Sequence, residues 1–493
     1  MGVWVPRGFG LRSSRMTTYI FRWFSQVTFG QFFTKKSREE ALFMAYKGIS
    51  YLKSKLSQKQ SRIGLRYKFY EMKNAERYLT GQNLPNELRA LSHCLGWCGN
   101  AVDNVADRLV FRKFDDDIFD LNTIFDMNNK DILTDGAMLG ALITSCDFVY
   151  ISKNETGYPR LQVIDGYDAT GIIDPITNML TEGYAVLERD QANRNTVLVE
   201  AYFTREETIV YDKINNRIYR EPNIAPYALL VPIINKPDAR RPFGHSRISR
   251  ACMNIQQSAV RTIARSEVSA EFYSFPQKYV LGTSQDAERL NKFRATMSTL
   301  LEITKDDDGD KPVVGQFQQQ SMSPYLDQVK MFAGLFSAET GLTLDDLGFP
   351  TDNPSSVEAI KACHEKLRLS ARKAQRDFAT GFKNVGYLAC CVRDNYPYKR
   401  DAFCKIDVLY EPLFEPDMSS LSLIGDGAIK INQAIPGYFD KQTLRSLTGI
   451  EPSEEANDQT TLVEGIEDND SKEDNDSTSL TTDNNNSLLG ETN

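Results

Sequence analysis

Apolar residues recur at steps of three and four over residues 87–109, at Leu88, Leu91, Leu95, Cys98, Val102, Val105 and Leu109, which predicts a helix with one buried face. Helical spacing is also expected at residues 45–56, around residues 67–70, and over residues 120–146. The period then shortens to two. FVYIS, LQVIDG, GYAVLE, TVLVEAYF, TIVYD and RIYR are β-branched and aromatic runs separated by Asn-Glu-Thr-Gly, Asp-Pro and Asn-Asn turns, so they read as short strands. A mixed α+β unit up to about Pro242 is the consequence.

Pro242-Phe243-Gly244-His245-Ser246 punctuates the chain before a helix expected over residues 247–272. One stripe of that helix is Ile248, Cys252, Ile255, Ala259 and Ile263, and another is Arg247, Arg250, Asn254, Gln257, Arg261 and Arg265. The polar stripe is either a solvated face or a contact face. Residues 274–323 hold a strand (QKYVLG), a helix (286–299), an acidic turn (305–310) and a second strand (PVVGQF). The acidic turn is a hairpin tip rather than a calcium loop, because position 12 counted from Asp306 is Phe317, where the bidentate Glu would stand. A further helix is expected over residues 324–340, with Tyr325, Val329, Phe332 and Phe336 on one stripe and Asp327, Lys330 and Ser337 elsewhere. The last long helix, residues 356–395, would measure about 60 Å, too long for one small domain to cover.

Between these two helices lies GLTLDDLGFPTDNPSSVEAIKACHEKL, residues 341–367. Gly341, Gly348, Pro350 and Pro354 break the periodicity, and Ser355 or Ser356 can accept the free N–H groups of the next helix, with Glu358 in its first turn. A loop is pinned between two helices. Its form resembles the tunnel loop and following long helix of the portal proteins of tailed bacteriophages, the ring at the head-to-tail junction. "fGhSrIsra" at the start of the 247–272 helix, Tyr67, Tyr70 and Tyr78 near Gly81, and "IKINQAIPGYFDKQTLRSLTGI" further on are similar to the stem, wing entry and crown of the same family.

The resemblance implies a portal fold: a helical and β wing, a two-helix stem, a small α/β clip, a long helix and a helical crown. It divides the chain into a basic extension (1–43), first wing part (44–242), stem helix (243–273), clip (274–322), second stem helix (323–340), tunnel loop (341–355), long helix returning to the wing (356–410), crown (411–452) and acidic tail (453–493). In the tunnel loop it puts Leu342, Leu344, Asp345, Asp346, Leu347, Gly348, Phe349, Pro350 and Pro354, with Leu344, Leu347 and Phe349 as contacts between neighbouring copies. Asp327 and Lys330 become channel-facing candidates, and Arg247, Arg250, Arg261 and Arg265 a stem stripe. The implied assembly has twelve copies at one capsid vertex, built in the host cytoplasm, with double-stranded DNA passing through. Implied partners are the terminase large subunit, which hydrolyses ATP, the major capsid or scaffolding protein, and neck or head-completion proteins. An adaptor or minor capsid protein is the alternative structural reading, and a nucleic-acid enzyme a third.

Composition changes this picture in few places. The net charge of −8 is unevenly distributed: residues 451–493 carry thirteen acidic side chains against Lys472 alone, so the preceding body is about +4, too mild for a sequence-reading DNA-binding protein. The tail, rich in Asp, Asn, Ser and Thr, has too few apolar groups to offset the entropy of ordering. Residues 1–38 carry seven basic and no acidic side chains, interleaved with aromatics, and read as a basic arm or a poorly ordered extension. No run of about 18 apolar residues occurs, so no membrane span is expected. The eight cysteines lack framework spacing and read as reduced core thiols. His93, Cys94 and Cys98 lack further ligands at zinc spacing, and no nucleotide-cradling, GxSxG or HExxH motif occurs, so neither metal, cofactor nor catalytic residue is expected.

Overall fold

Strand β2 (Cys146–Lys153) divides two cores, and its sequence explains why: the first six residues of CDFVYISK are all buried, so both faces of the strand are covered. Phe148 and Tyr150 point into one apolar cluster, Val149 and Ile151 into another. The computed structural model describes residues 46–73, 93–274, 278–281, 313–316, 321–350, 362–413, 418–440, 443, 444 and 448. The basic extension, the acidic tail, the expected helix at 286–299, the acidic turn and the Ser355 or Ser356 cap lie outside them.

The fold is α+β. Helix α1 (Ile49–Tyr70) is followed by α2 (Trp97–Ala106), β1 (Phe111–Asp115), α3 (Leu121–Met127) and α4 (Lys130–Thr144). The 45–56 and 67–70 stretches are thus one continuous helix. The expected 120–146 helix is two, separated at Asn128-Asn129, where Asn129 takes a left-handed φ of 55° that asparagine tolerates. Asn128 tethers the break, accepting the Leu161 N–H at 2.9 Å and donating to Ile124 O at 2.8 Å. Within the expected 87–109 helix, residues 93–96 are not helical, yet Leu109 is buried beyond the helix end. Periodicity there reported burial further than it reported helix.

Six strands sit where alternation placed them: β2, β3 (Pro159–Ile164), β5 (Leu180–Arg189), β6 (Val197–Phe203), β7 (Glu207–Asp212) and β8 (Arg217–Pro222). β4 (Ala169–Ile173) and β9 (Leu230–Ile234) were not legible. Pro232 argues against a strand in LVPII, but β9 is an edge of the antiparallel sheet β3-β2-β9, the one place where a missing N–H is tolerated. β4 to β8 form a five-stranded meander. Leu52 and Leu56 of α1 pack on its Tyr184, Val186, Tyr202 and Ile209, while the alternate residues Ala185, Ala201 and Phe203 face the β2 side.

Beyond β9, α5 (Arg250–Ser274), β10 (Lys278–Leu281), β11 (Val313–Gln316) and α6 (Ser323–Thr340) follow, with β10 and β11 paired antiparallel. Then come α7 (Glu365–Arg393), α8 (Arg400–Phe403), β12 (Asp407–Tyr410) and α9 (Met418–Ala434). β12 pairs with β1 across some 300 residues of chain, Phe111 opposite Tyr410. The expected apolar stripe of α7, from Leu367 through Ala371, Ala374, Phe378, Phe382, Val385 and Ala389 to Val392, is buried. Its described 29 residues span about 43 Å, and the chain covers that stripe itself through β2, β9, β12 and α3. Gly381 permits the approach to β9, since a Cβ there would stand 2.7 Å from Ile233 Cδ1.

A buried polar layer joins α1 to the β2 wall. Lys59 Nζ donates to Ala169 O at 2.7 Å, Tyr67 OH donates to Asp165, and Asp147 accepts from Thr144 Oγ1 and Gly166 N, each at 3.0 Å. Burial raises the Asp147 carboxyl, with Asp165 adding to the rise, and burial pulls Lys59 down to about 8. An unfolded lysine titrates near 10.4. Between these values the folded chain binds fewer protons than the unfolded one, so stability rises with pH from about 8 to about 10.4, by up to about 3 kcal/mol from this group. Lys59→Met is expected to lack that rise. Urea unfolding of both proteins at pH 7.5 and 10.5 measures it, and an unchanged difference between them would contradict the assignment.

Candidate functional site

α6 ends at Gly341, whose φ of +79° turns the chain out of the helix while its N–H returns to Ser337 O at 2.8 Å. Ser337 Oγ then holds Leu342 O at 2.6 Å, and Leu342 drops into the main core. Thr343 and Asp346 cap each other: Asp346 Oδ2 accepts from Thr343 N at 2.8 Å and Oγ1 at 2.9 Å, and Asp346 N donates to Thr343 Oγ1 at 3.2 Å. A 3₁₀ turn, Asp345–Leu347, closes at Gly348 (φ +87°), and Phe349 N returns to Leu344 O at 3.0 Å. Residues 342–349 are a closed, hydrogen-bonded turn.

Side-chain placement differs from the sequence expectation at the apolar positions. Leu347 is buried in the chain's own core, and Leu344 and Phe349 pack against that core. Contact with a neighbouring copy is therefore not their first role. Asp345, Gly348 and Pro350 are exposed; Pro354 lies outside the described residues. Lys366 Nζ donates back to Ala338 O, and His364 Nδ1 stands 3.9 Å from Asp346 Oδ2, so the start of α7 is tied to both the end of α6 and the turn.

Arg247 is a second departure. It precedes α5 and leaves the polar stripe: Nε donates to Ala101 O at 2.9 Å, one terminal nitrogen to Thr340 O at 2.7 Å and the other to Ser370 Oγ at 3.2 Å. One guanidinium thus binds α2, the end of α6 and α7 at the base of the turn. Burial lowers its pKa, yet with neutral acceptors on all sides it stays charged. Nothing in a periodic Arg stripe distinguishes such a strut from a surface arginine.

α5 and α6 run antiparallel. Rungs at Ser249 to Glu339 (2.9 Å), Thr262 to Gln328 (3.1 Å) and Ser269 to Tyr325 (2.8 Å) tie them together, and Trp97 of α2 meets Phe336 with ring centroids 5.6 Å apart. Arg250, Arg261, Arg265, Asp327 and Lys330 are exposed on this pair. So are apolar side chains of α6: Leu326 is 62%, Met331 53% and Leu335 51% exposed. These three lack cover, unlike the stripe of α7.

Among the described residues no metal-ligating group assembles: no three His, Cys, Asp or Glu side chains stand where they could hold a metal ion. His93 faces Glu267 at 3.1 Å, Cys94 donates to Met72 O and Cys98 is buried, so the three point to different partners. Among the described residues no helix is long and apolar enough to cross a membrane.

Two antiparallel helices packed on an α+β body bracket a small two-stranded unit and return through a pinned turn to a long core helix. Comparison with known proteins finds similarity to phage portal proteins. The portal protein of Mycobacterium phage L5 is 24% identical over 310 residues, 58% of this chain and 62% of its own length. The portal protein of Mycobacterium phage D29 is 22% identical over 334 residues, 63% of this chain and 67% of its own. The chain thus spans a little over three fifths of the first relative's length. No family model matches. Among solved structures, chains from the virion of a native gene transfer agent particle (12% identity, TM-score 0.39, 72% of this chain and 90% of that one) and from the neck of such a particle with C12 symmetry (13%, 0.38, 73% and 92%) overlap loosely. Over about three fifths of its length the chain is similar to phage portal proteins.

Proposed function

We propose that this chain is the subunit of a closed ring, twelve copies strong, that forms the channel for packaging and ejection of double-stranded DNA at one vertex of the capsid. The observation that carries the reading is the exposure of Leu326, Met331 and Leu335 on different sides of α6, since repeated heterologous contacts on both flanks of a ring subunit bury such groups in every copy. In this reading α5 and α6 are the stem, the β10–β11 pair belongs to the clip that docks the terminase large subunit and later the neck proteins, and α9 belongs to a crown inside the head, near the major capsid or scaffolding protein. The role is structural, with ATP hydrolysis left to the terminase, and assembly takes place in the host cytoplasm. Light scattering and negative-stain microscopy of the purified protein test it: a ring near twelve copies with a pore wide enough for duplex DNA is expected, and a monodisperse monomer at micromolar concentration would overturn it.

Lys330 and Asp327, three residues apart and exposed on α6, are proposed to face the passage, with Lys330 forming a ring of positive charge and Asp327, Asp345 and Asp346 repelling phosphate. Lys330→Ala removes an exposed side chain, so ring formation is expected to persist while the number of heads that fill and keep their DNA falls severalfold. Equal filling and retention in a complementation assay would take Lys330 out of the channel.

A further inference from the structure

The solvent face of α7 carries more positive charge than its surroundings answer. Residues 366–376 hold five basic side chains, Lys366, Arg368, Arg372, Lys373 and Arg376, and no acidic one. Arg368, Arg372 and Arg376 recur at steps of four, so they share one side of the helix over about 12 Å. Arg368 is paired with Glu365 at 2.7 Å, and Lys366 Nζ donates to Ala338 O. Arg372, Lys373 and Arg376 are exposed and form no ion pair among the described residues. Like charges one turn apart repel each other, so this face destabilises the helix that carries it.

A second cationic layer lies behind it. Lys236 Nζ and one terminal nitrogen of Arg247 both donate to Ser370 Oγ, each at 3.2 Å, so two cations share a single neutral hydroxyl. Asp377 is the described carboxylate at this place: half-buried, it accepts the Lys236 N–H at 3.2 Å and stands in the field of Lys236, Lys373 and Arg376 at once. Burial lowers the Lys236 ammonium, and Arg247 and Lys373 lower it further. One carboxylate among Lys236, Arg247, Lys373 and Arg376 leaves the region short of negative charge.

We propose that the face of α7 formed by Arg372, Lys373 and Arg376 binds the phosphate backbone of duplex DNA, with Lys236 and Arg247 reinforcing its positive potential from behind. The inference rests on the reading of the chain as a channel subunit, and it gives that channel a defined contact beside the 342–349 turn, to which the start of α7 is tied. Charge and shape both favour phosphate over an acidic protein. Guanidinium forks fit phosphate oxygens two at a time, whereas a protein interface needs an apolar centre, and among the described residues of α7 Leu369 is the one large apolar side chain left exposed. Such contacts give a weak, sequence-independent and salt-dependent attachment, which suits a duplex that has to slide.

Fluorescence anisotropy of a labelled duplex of about 30 base pairs, titrated with the purified full chain at about 50 mM and about 150 mM salt, tests it, with light scattering of the same samples reporting the oligomer. The triple variant Arg372→Gln, Lys373→Gln, Arg376→Gln is expected to bind at least about tenfold more weakly at the lower salt and to lose about two to three from the slope of log affinity against log salt. A variant with the same loss of charge on the meander, Arg194→Gln, Arg205→Gln and Arg217→Gln, should bind like the wild type, and the charge-keeping pair Arg372→Lys, Arg376→Lys should hold the slope. An α7 triple variant that matches the wild type, or a meander variant that weakens binding as much as it does, would overturn the proposal. So would a wild type that binds no duplex; capture of poly-glutamate in its place, lost in the α7 triple variant, would overturn it by assigning the face to an acidic protein. A monomer by scattering counts against the channel reading alone, because the titration decides the contact on whichever species is present.

Discussion

Gly244→Ala is expected to destabilise the native fold strongly. Gly244 has φ +71°, and a Cβ there would stand 2.1 Å from Asn235 O and 2.8 Å from Ile234 Cγ2, the nearer atom being backbone. The turn cannot yield cheaply, because Asn235 clasps it from both sides: His245 N donates to Asn235 O at 2.8 Å, and Asn235 Nδ2 donates to His245 O at 2.7 Å. Asn235 is itself buried and held by Ser145 O at 3.0 Å, where α4 passes into β2. Left-handed strain and overpacking against backbone together cost at least about 3 kcal/mol, and the joint affected is the one that sets α5 against the body. Circular dichroism and the urea midpoint of purified protein measure the effect. A variant with wild-type midpoint would show that the turn opens freely.

Leu347→Ser is expected to destabilise the protein by about 3 kcal/mol, from the lost burial of a leucine and the introduction of a hydroxyl into an apolar site. A reading of the 341–355 segment as a loosely held constriction expects the opposite, that Leu347 and Phe349 can become serine with folding and ring formation intact. The closed turn decides between them: Leu347 shares the main core with Phe336 and Leu367, and three backbone bonds close the turn around it. Loss of filled heads in that variant would therefore report lost structure rather than lost grip on DNA. Asp345→Asn at the exposed tip is the cleaner probe of function, expected to leave the thermal midpoint within about 1 °C. If Leu347→Ser melts with the wild type, the turn is a free loop and the constriction reading regains its test.

Much of the architecture was legible because it rests on periodicity, a local property. Alternation located β2, β3 and β5 to β8, and three-and-four spacing located α5, α6 and the end of α7 to within a few residues. Glycine and proline marked the joints at 242–246 and 341–350, and their positive φ values at Gly244, Gly341 and Gly348 are the physical reason. β9, β1 and β12 escaped because their partners are supplied by distant chain, and Pro232 is tolerable only once β9 is known to be an edge.

The same boundary divides what sequence by itself determined from what only tertiary structure decided. A side chain's type and spacing establish that it belongs to a helix face or a turn, since those depend on neighbours a few positions away. Which way that face looks depends on what the rest of the chain brings to it. Arg247 and Arg261 share one sequence stripe, but the first meets Ala101 O, Thr340 O and Ser370 and becomes a buried strut, while the second stays in solvent. Leu347 and Leu335 are equally apolar, yet the chain buries the first and leaves the second uncovered, because α2 reaches the turn and nothing described reaches that side of α6. Covering an apolar group requires a surface of matching shape, and that surface exists only after segments hundreds of residues apart have packed.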